Sequence, residues 1–142
     1  MDCVIDKDTW PRKEFFDFFG GISNPFYAVT FRQDVTELRD YCKERQISFY
    51  YGLIYLCCKA LRDVPAFSCL PWMDVTAVTN ERDLSAANAQ DDSIPRICWG
   101  KFTQENGRVY LGMSVEVNHR LIDGVHIGRF AEALTRRIQE LR

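Results

Sequence analysis

Val109, Leu111, Met113, Val115 and Val117 alternate with Tyr110, Gly112, Ser114 and Glu116, a period of two that predicts a half-buried strand. After it the period changes. Ile127, Phe130, Ala131, Leu134, Ile138 and Leu141 recur at helical spacing up to the C-terminus. Asp123-Gly124 makes the turn between the two patterns. Upstream, Ser48 to Asp63 carries Phe49, Tyr50, Leu53, Ile54, Leu56, Cys57, Ala60 and Leu61, which predicts a strongly apolar helix central to the core. Phe26 to Val35 reads as a strand. Thr36, with Glu37 in its first turn, opens a helix to about Arg45. An aromatic helix is expected over residues 8–19, capped by Asp8 or Thr9 with Pro11 near its first turn. Pro95 to Phe102 reads as another strand, and Thr103 to Arg108 as a hairpin turn, because Asn106-Gly107 favours positive backbone angles. Gly20 to Pro25 has loop composition, Met73 to Val78 can form a strand, and residues 79–93 form a polar connector.

This mixture predicts an α/β fold, a mixed β-sheet covered by helices 48–63 and 126–141. The 142 residues suit a single domain, 1–142, with one core. With 46% hydrophobic and 13% aromatic residues, a packed domain is expected rather than disorder. The formal net charge of −2, with no basic stripe, argues against a nucleic-acid surface. No apolar run reaches the length of a membrane span, and the N-terminus lacks a signal-peptide layout, so a cytoplasmic protein is expected. Cys3, Cys42, Cys57, Cys58, Cys69 and Cys98 are then expected to be reduced and mostly buried. No C-x-x-C pair is present, which argues against structural zinc. His119, Asp123 and His126 could be imagined as metal ligands, but Gly124 breaks the helix that would align them, so no metal is expected.

Both histidines lie between Val117 and His126. His119 falls at the end of the predicted strand, and Asp123 sits four residues on in a tight turn. That placement suits a general base. It equally suits a hydrogen-bonded strand-end histidine followed by a helix-capping aspartate. Arg12 is a lone arginine among aromatics, a setting in which a buried partner is common.

His119-x-x-x-Asp123-Gly124 resembles the HxxxDG motif of CoA-dependent acyltransferases. The wider run through His126, Gly128, Arg129 and Phe130 resembles the chloramphenicol acetyltransferase family in particular. Trp10-Pro11-Arg12-Lys13-Glu14-Phe15-Phe16 is similar to that family's N-terminal pattern, Tyr50 to Leu56 to its long buried helix, and Ser68-x-x-Pro71-Trp72 to a later box. The resemblance covers nearly all of the chain in two blocks, Trp10 to about Phe67 and Ser68 to about Leu141. Between them the family carries a long stretch that has no counterpart here.

The resemblance implies a two-layer acyltransferase sandwich, internally shortened. It implies acetyl transfer from acetyl-CoA, as co-substrate, to a hydroxyl of chloramphenicol or a similar small acceptor, the chemistry of antibiotic resistance. His119 would be the general base, and Arg12 would pair with Asp123 to shape the loop. Ser68 would stabilise the oxyanion; the alternative is a turn serine before Pro71. Phe26 and Tyr27 would touch the acceptor, or else serve ordinary sheet packing. Lys101 matches a lysine near the CoA phosphates, or is a plain surface lysine. Cys98 stands where the family often has a water-holding threonine, and Asn118 replaces a second histidine. A homotrimer is implied, with His119 near a subunit boundary. His126 is expected to face solvent or a neighbouring subunit and to tolerate substitution. Two rival readings stand beside this one. The first is a non-catalytic, truncated relic or self-associating core that keeps HxxxDG for structural reasons. The second is a lipoyl-type acyltransferase core, against which the Trp10–Phe16 pattern and the Ser68–Trp72 box argue.

Overall fold

The structure, a computed structural model, describes residues 6–68 and 93–142, Ser68 by its backbone. Its elements run α1 (Lys13–Gly20), β1 (Phe26–Asp34), α2 (Thr36–Glu44), α3 (Phe49–Arg62), α4 (Pro65–Ser68), β2 (Arg96–Glu105), β3 (Arg108–Asn118) and α5 (Gly124–Gln139). The strand expected over 73–78 and most of the connector over 79–93 lie outside the described residues.

β3 is the central strand of the order β1-β3-β2. Its alternating pattern does what a period of two requires. Val109, Leu111, Met113, Val115 and Val117 are buried, while Tyr110, Ser114 and Glu116 are half-buried and Gly112 is exposed on the other face. β1 pairs with it from Phe26 opposite Asn118 to Asp34 opposite Tyr110, and β2 from Arg96 opposite Glu116 to Glu105 opposite Arg108. Both pairings are antiparallel, whereas a mixed sheet was expected. The β2–β3 connection is short enough to need only the Asn106-Gly107 turn, with φ of 51° and 76°. β1 precedes α2, α3 and α4 in the chain and pairs with the side of β3 opposite β2.

Helices α2, α3 and α5 cover the buried face of the sheet. Leu38 and Cys42 from α2, Leu53, Cys57, Ala60 and Leu61 from α3, and Ile127, Phe130, Leu134 and Ile138 from α5 join the strand side chains in one core. Each fully buried Leu, Ile, Val, Phe or Met contributes about 1.5–3 kcal/mol relative to exposure. α2 and α3 approach closely at Gly52, where an added Cβ would lie 2.9 Å from Cys42 Sγ. At the rim, Arg137 of α5 forms a bidentate pair with Asp63 after α3, at 2.9 and 2.8 Å.

One boundary differs from expectation. α1 begins at Lys13, because Thr9 Oγ1 bonds back to Asp6 rather than capping forward. The short α4 has Pro65 at its first position, where the missing N–H of proline leaves no intrahelical bond unmade. Cys42, Cys57 and Cys98 are free thiols, and Cys3 and Cys69 lie outside the described residues. Burial pushes the Cys57 thiol up to about 12 and raises that of Cys42, so both remain protonated and inert. No helix among the described residues is long and apolar enough to cross a membrane.

Candidate active site

The register of β1 on β3 brings the start of one strand beside the end of the other, and α1 closes over that end of the sheet. His119 lies in this corner. Its backbone is fixed from both sides. The His119 N–H donates to the Pro25 carbonyl at 2.8 Å, just before β1. Asn118, buried at 3% exposure, turns the chain: its Oδ1 accepts the Arg120 N–H at 3.0 Å, and its carbonyl accepts the N–H groups of Leu121 and Ile122, each at 3.0 Å. Asn118 is therefore a turn-forming residue. An asparagine suits this position because its short amide bonds its own main chain two residues on.

Two aromatic rings hold the imidazole. Phe19 of α1 stacks on it at 4.1 Å between centroids with an interplanar angle of 15°, and Tyr27 of β1 meets it at 4.5 Å and 39°. The Tyr27 hydroxyl donates to the Ile122 carbonyl at 3.3 Å. Burial first, and the Asp123 charge second, push the phenol up to about 12, so it stays a neutral donor. His119 Nδ1 lies 3.3 Å from Asp123 Oδ1. The contact lacks the alignment of a hydrogen bond, and both atoms are buried without a hydrogen-bond partner. It is an electrostatic contact that orients the ring.

Asp123 is anchored by Arg12. Nη1 of Arg12 donates to Asp123 Oδ2, and Nη2 donates to the His119 carbonyl at 3.3 Å. The ion pair expected between these two residues is thus present. It is partly rather than fully buried, with side-chain exposures of 15% and 28%. One arginine ties the carboxylate and the main chain of the histidine into a single unit. The Phe15 ring lies 5.3 Å from its guanidinium carbon. Arg120 covers Phe16 on the same side, 4.0 Å from that ring.

His126 departs from expectation. Rather than projecting freely, its half-buried imidazole turns back, and Nδ1 accepts the Asp123 backbone N–H at 2.9 Å. It is the return arm of a capping box at the start of α5. Burial, and then the Arg12 charge, hold its pKa below the ordinary histidine value.

The other sequence candidates fall around this unit. Phe26 opens β1 opposite Asn118, one residue from the Tyr27 that touches His119. Lys101 is exposed on β2, roughly 20 Å along the sheet from His119 at about 3.3 Å per residue. Cys98 is a half-buried free thiol opposite Ser114. Ser68 ends α4, and Pro71 and Trp72 of its box lie outside the described residues. Sequence reasoning missed Phe19 as a ring partner and His126 as a main-chain acceptor. The signal for His126 was its place three residues after the capping Asp123. Among the described residues no group of three or more His, Cys, Asp or Glu could hold a metal ion.

The arrangement presents an imidazole clamped between rings, with Nδ1 turned to a carboxylate and a third of its side chain exposed, at 33%. Such a group can accept a proton at the opposite nitrogen. A family model described as chloramphenicol acetyltransferase matches residues 2–70 and 62–135. Chloramphenicol acetyltransferase 3 of Escherichia coli is 38% identical over 74 residues, 52% of this chain and 31% of that protein. The chain thus spans under a third of that relative's length. Chloramphenicol acetyltransferase of Campylobacter coli is 20% identical over 200 residues, covering 92% of this chain and 95% of the other. An alignment of 200 positions against a chain of 142 means that the relative carries residues with no counterpart here. A solved chloramphenicol acetyltransferase superposes with a TM-score of 0.76 at 20% identity, over 97% of this chain and 98% of the other. A probable dihydrolipoamide acetyltransferase from Listeria monocytogenes superposes less well, at 0.50 and 11% identity, over 99% of this chain and 95% of the other.

Proposed function

Because the chain belongs to the chloramphenicol acetyltransferase family, we propose that it moves an acetyl group from acetyl-CoA to a hydroxyl of chloramphenicol or a similar small acceptor. The observation that carries this is the unit of His119, Asp123 and Arg12 at the strand-to-helix corner. The Asp123 carboxylate beside Nδ1 favours the tautomer with its proton there. That leaves the Nε2 lone pair for the acceptor.

In the step proposed, Nε2 of His119 takes the acceptor's hydroxyl proton while that oxygen attacks the thioester carbonyl carbon. The tetrahedral intermediate collapses with cleavage of the carbon–sulfur bond. The departing CoA sulfur takes the proton back from His119, and no acyl-enzyme is needed. Asp123 and Arg12 do not move the proton. They hold the ring and its loop so that attack meets a preorganised site. Ser68 donates to the oxyanion. Phe26 and the exposed part of Tyr27 line the acceptor side, and Lys101, exposed on β2, meets the CoA phosphates. The assembly is a homotrimer acting in the cytoplasm, with no metal, and its role is antibiotic resistance.

The alternative, a non-catalytic core of the same fold, draws on the 200-position alignment of a 142-residue chain. The two readings separate in one experiment. The protein is incubated with acetyl-CoA and chloramphenicol, and the products are weighed by mass spectrometry. Acetyl-chloramphenicol equal in amount to free CoA supports transfer. Neither product, from a folded protein that sediments as a trimer, refutes it in favour of the non-catalytic core.

A further inference from the structure

We propose that His126 is a positioning residue of this site: its Nδ1 lone pair holds the Asp123 main chain, and through it the carboxylate, against Arg12 and beside His119. The inference rests on the acetyl-transfer reading only for its effect on rate.

The geometry sets out why the loop needs such a hold. Between the end of β3 and the body of α5 the chain passes through Asp123-Gly124. Gly124 contributes no side chain, and its backbone is the freest of any residue type. The Asp123 N–H donates to His126 Nδ1 at 2.9 Å. The return bonds run from the His126 and Ile127 N–H groups to the Asp123 carbonyl, at 3.0 and 3.4 Å. The peptide before Asp123 and the peptide after it are therefore both tied to the first turn of α5. The direction of the carboxylate follows from the main chain so fixed.

The residue type is informative. The side chain reaching back from this position in a capping box is ordinarily Glu or Gln. A glutamate here would set a second carboxylate beside Asp123 and compete for the Arg12 guanidinium. A histidine supplies an acceptor without a negative charge, which leaves Arg12 to Asp123. To accept at Nδ1 the ring must be neutral with its proton on Nε2. A proton on Nδ1 would face the Asp123 N–H donor to donor. The surroundings keep that proton off: burial, Arg12 and Arg129 disfavour the cation, and only Asp123 favours it.

The test uses the full chain, labelled with nitrogen-15, as the parent and as His126→Ala, His126→Gln and His126→Glu. In the parent, the His126 nitrogen signals should report a bare Nδ1 and a protonated Nε2. In His126→Ala the Asp123 amide should exchange with solvent about three- to tenfold faster, the factor corresponding to one net hydrogen bond. kcat should fall by a similar factor with KM for acetyl-CoA little changed. His126→Gln should restore both, and His126→Glu should restore the amide protection but not kcat. If His126→Ala does not fold, the parent and His126→Gln suffice. The Asp123 amide shift of the parent should then move as His126 titrates, and that of His126→Gln should not. A protonated Nδ1 at neutral pH, or a His126→Ala protein with unchanged Asp123 exchange and unchanged kcat, overturns the proposal. A parent that transfers no acetyl group overturns the catalytic reading by itself, while the exchange measurements still decide whether His126 holds Asp123.

Discussion

Asp123→Ala removes the acceptor that Arg12 was built to meet. Arg12 is 15% exposed, its Nε has no hydrogen-bond partner, and its remaining contact to the His119 carbonyl is a long 3.3 Å. Truncating one side of a fully buried pair costs about 3–5 kcal/mol, because the other charge is left uncompensated. A fully exposed pair is worth about 0–1 kcal/mol. With Asp123 at 28% exposure, the loss should fall between these, at about 2 kcal/mol. The assay is urea unfolding at one fixed protein concentration, since assembly would make the midpoint depend on it. The midpoint should drop with the slope unchanged. The pair itself is isolated by the cycle of Arg12→Ala, Asp123→Ala and the double variant, which should show a coupling of about 1–2 kcal/mol. Removing both partners should cost clearly less than the sum of the single losses. A coupling within about 0.3 kcal/mol of zero, the ordinary error of additivity, would refute the view that Arg12 and Asp123 act as one unit.

Other expectations follow from single contacts. Gly52→Ala should destabilise by about 1–2 kcal/mol despite alanine's better helix propensity, because its Cβ would meet Cys42 Sγ at 2.9 Å. The same change in a Cys42→Ala background should be neutral or stabilising, and equal losses in both backgrounds would exclude the clash. Asp63 has its pKa lowered chiefly by the Arg137 hydrogen bonds. A depressed carboxylate contributes stability present above its unfolded pKa and lost as pH falls through its folded one. The melting temperature should therefore fall less steeply in acid for Asp63→Asn than for the parent, and parallel curves would remove Asp63 from the acid response.

Much of the frame was legible because the chain changes period where the structure changes element. The alternation of 109–117 and the helical spacing after Gly124 became β3 and α5, and Asn106-Gly107 became the hairpin turn. What failed was local. Thr9 and Asp8 looked like caps, but the Thr9 hydroxyl is engaged by Asp6. Trp10, lying before Pro11, is disfavoured from helical angles, so α1 starts beyond it. In the site, the spacing of His119 and Asp123 pointed to residues that do meet, while the setting of Arg12 suggested only a buried partner and the family resemblance named Asp123. The stack of Phe19 on His119 left no trace in the sequence, since five aromatics crowd residues 10–19 and only the fold selects one. His126 was misjudged because a polar residue beyond a helix-starting glycine reads as exposed, whereas its ring folds back along the chain.

The central claim is that His119 takes the acceptor's proton. Its most direct test is the rate of thiol release from acetyl-CoA in the presence of chloramphenicol, for the parent and for His119→Ala, with circular dichroism confirming that both are folded. The account predicts acceptor-dependent release by the parent and a loss of at least about 10²-fold in the variant, the low end for a positioned proton-transfer group. An active parent whose His119→Ala variant releases thiol at an undiminished rate would contradict it.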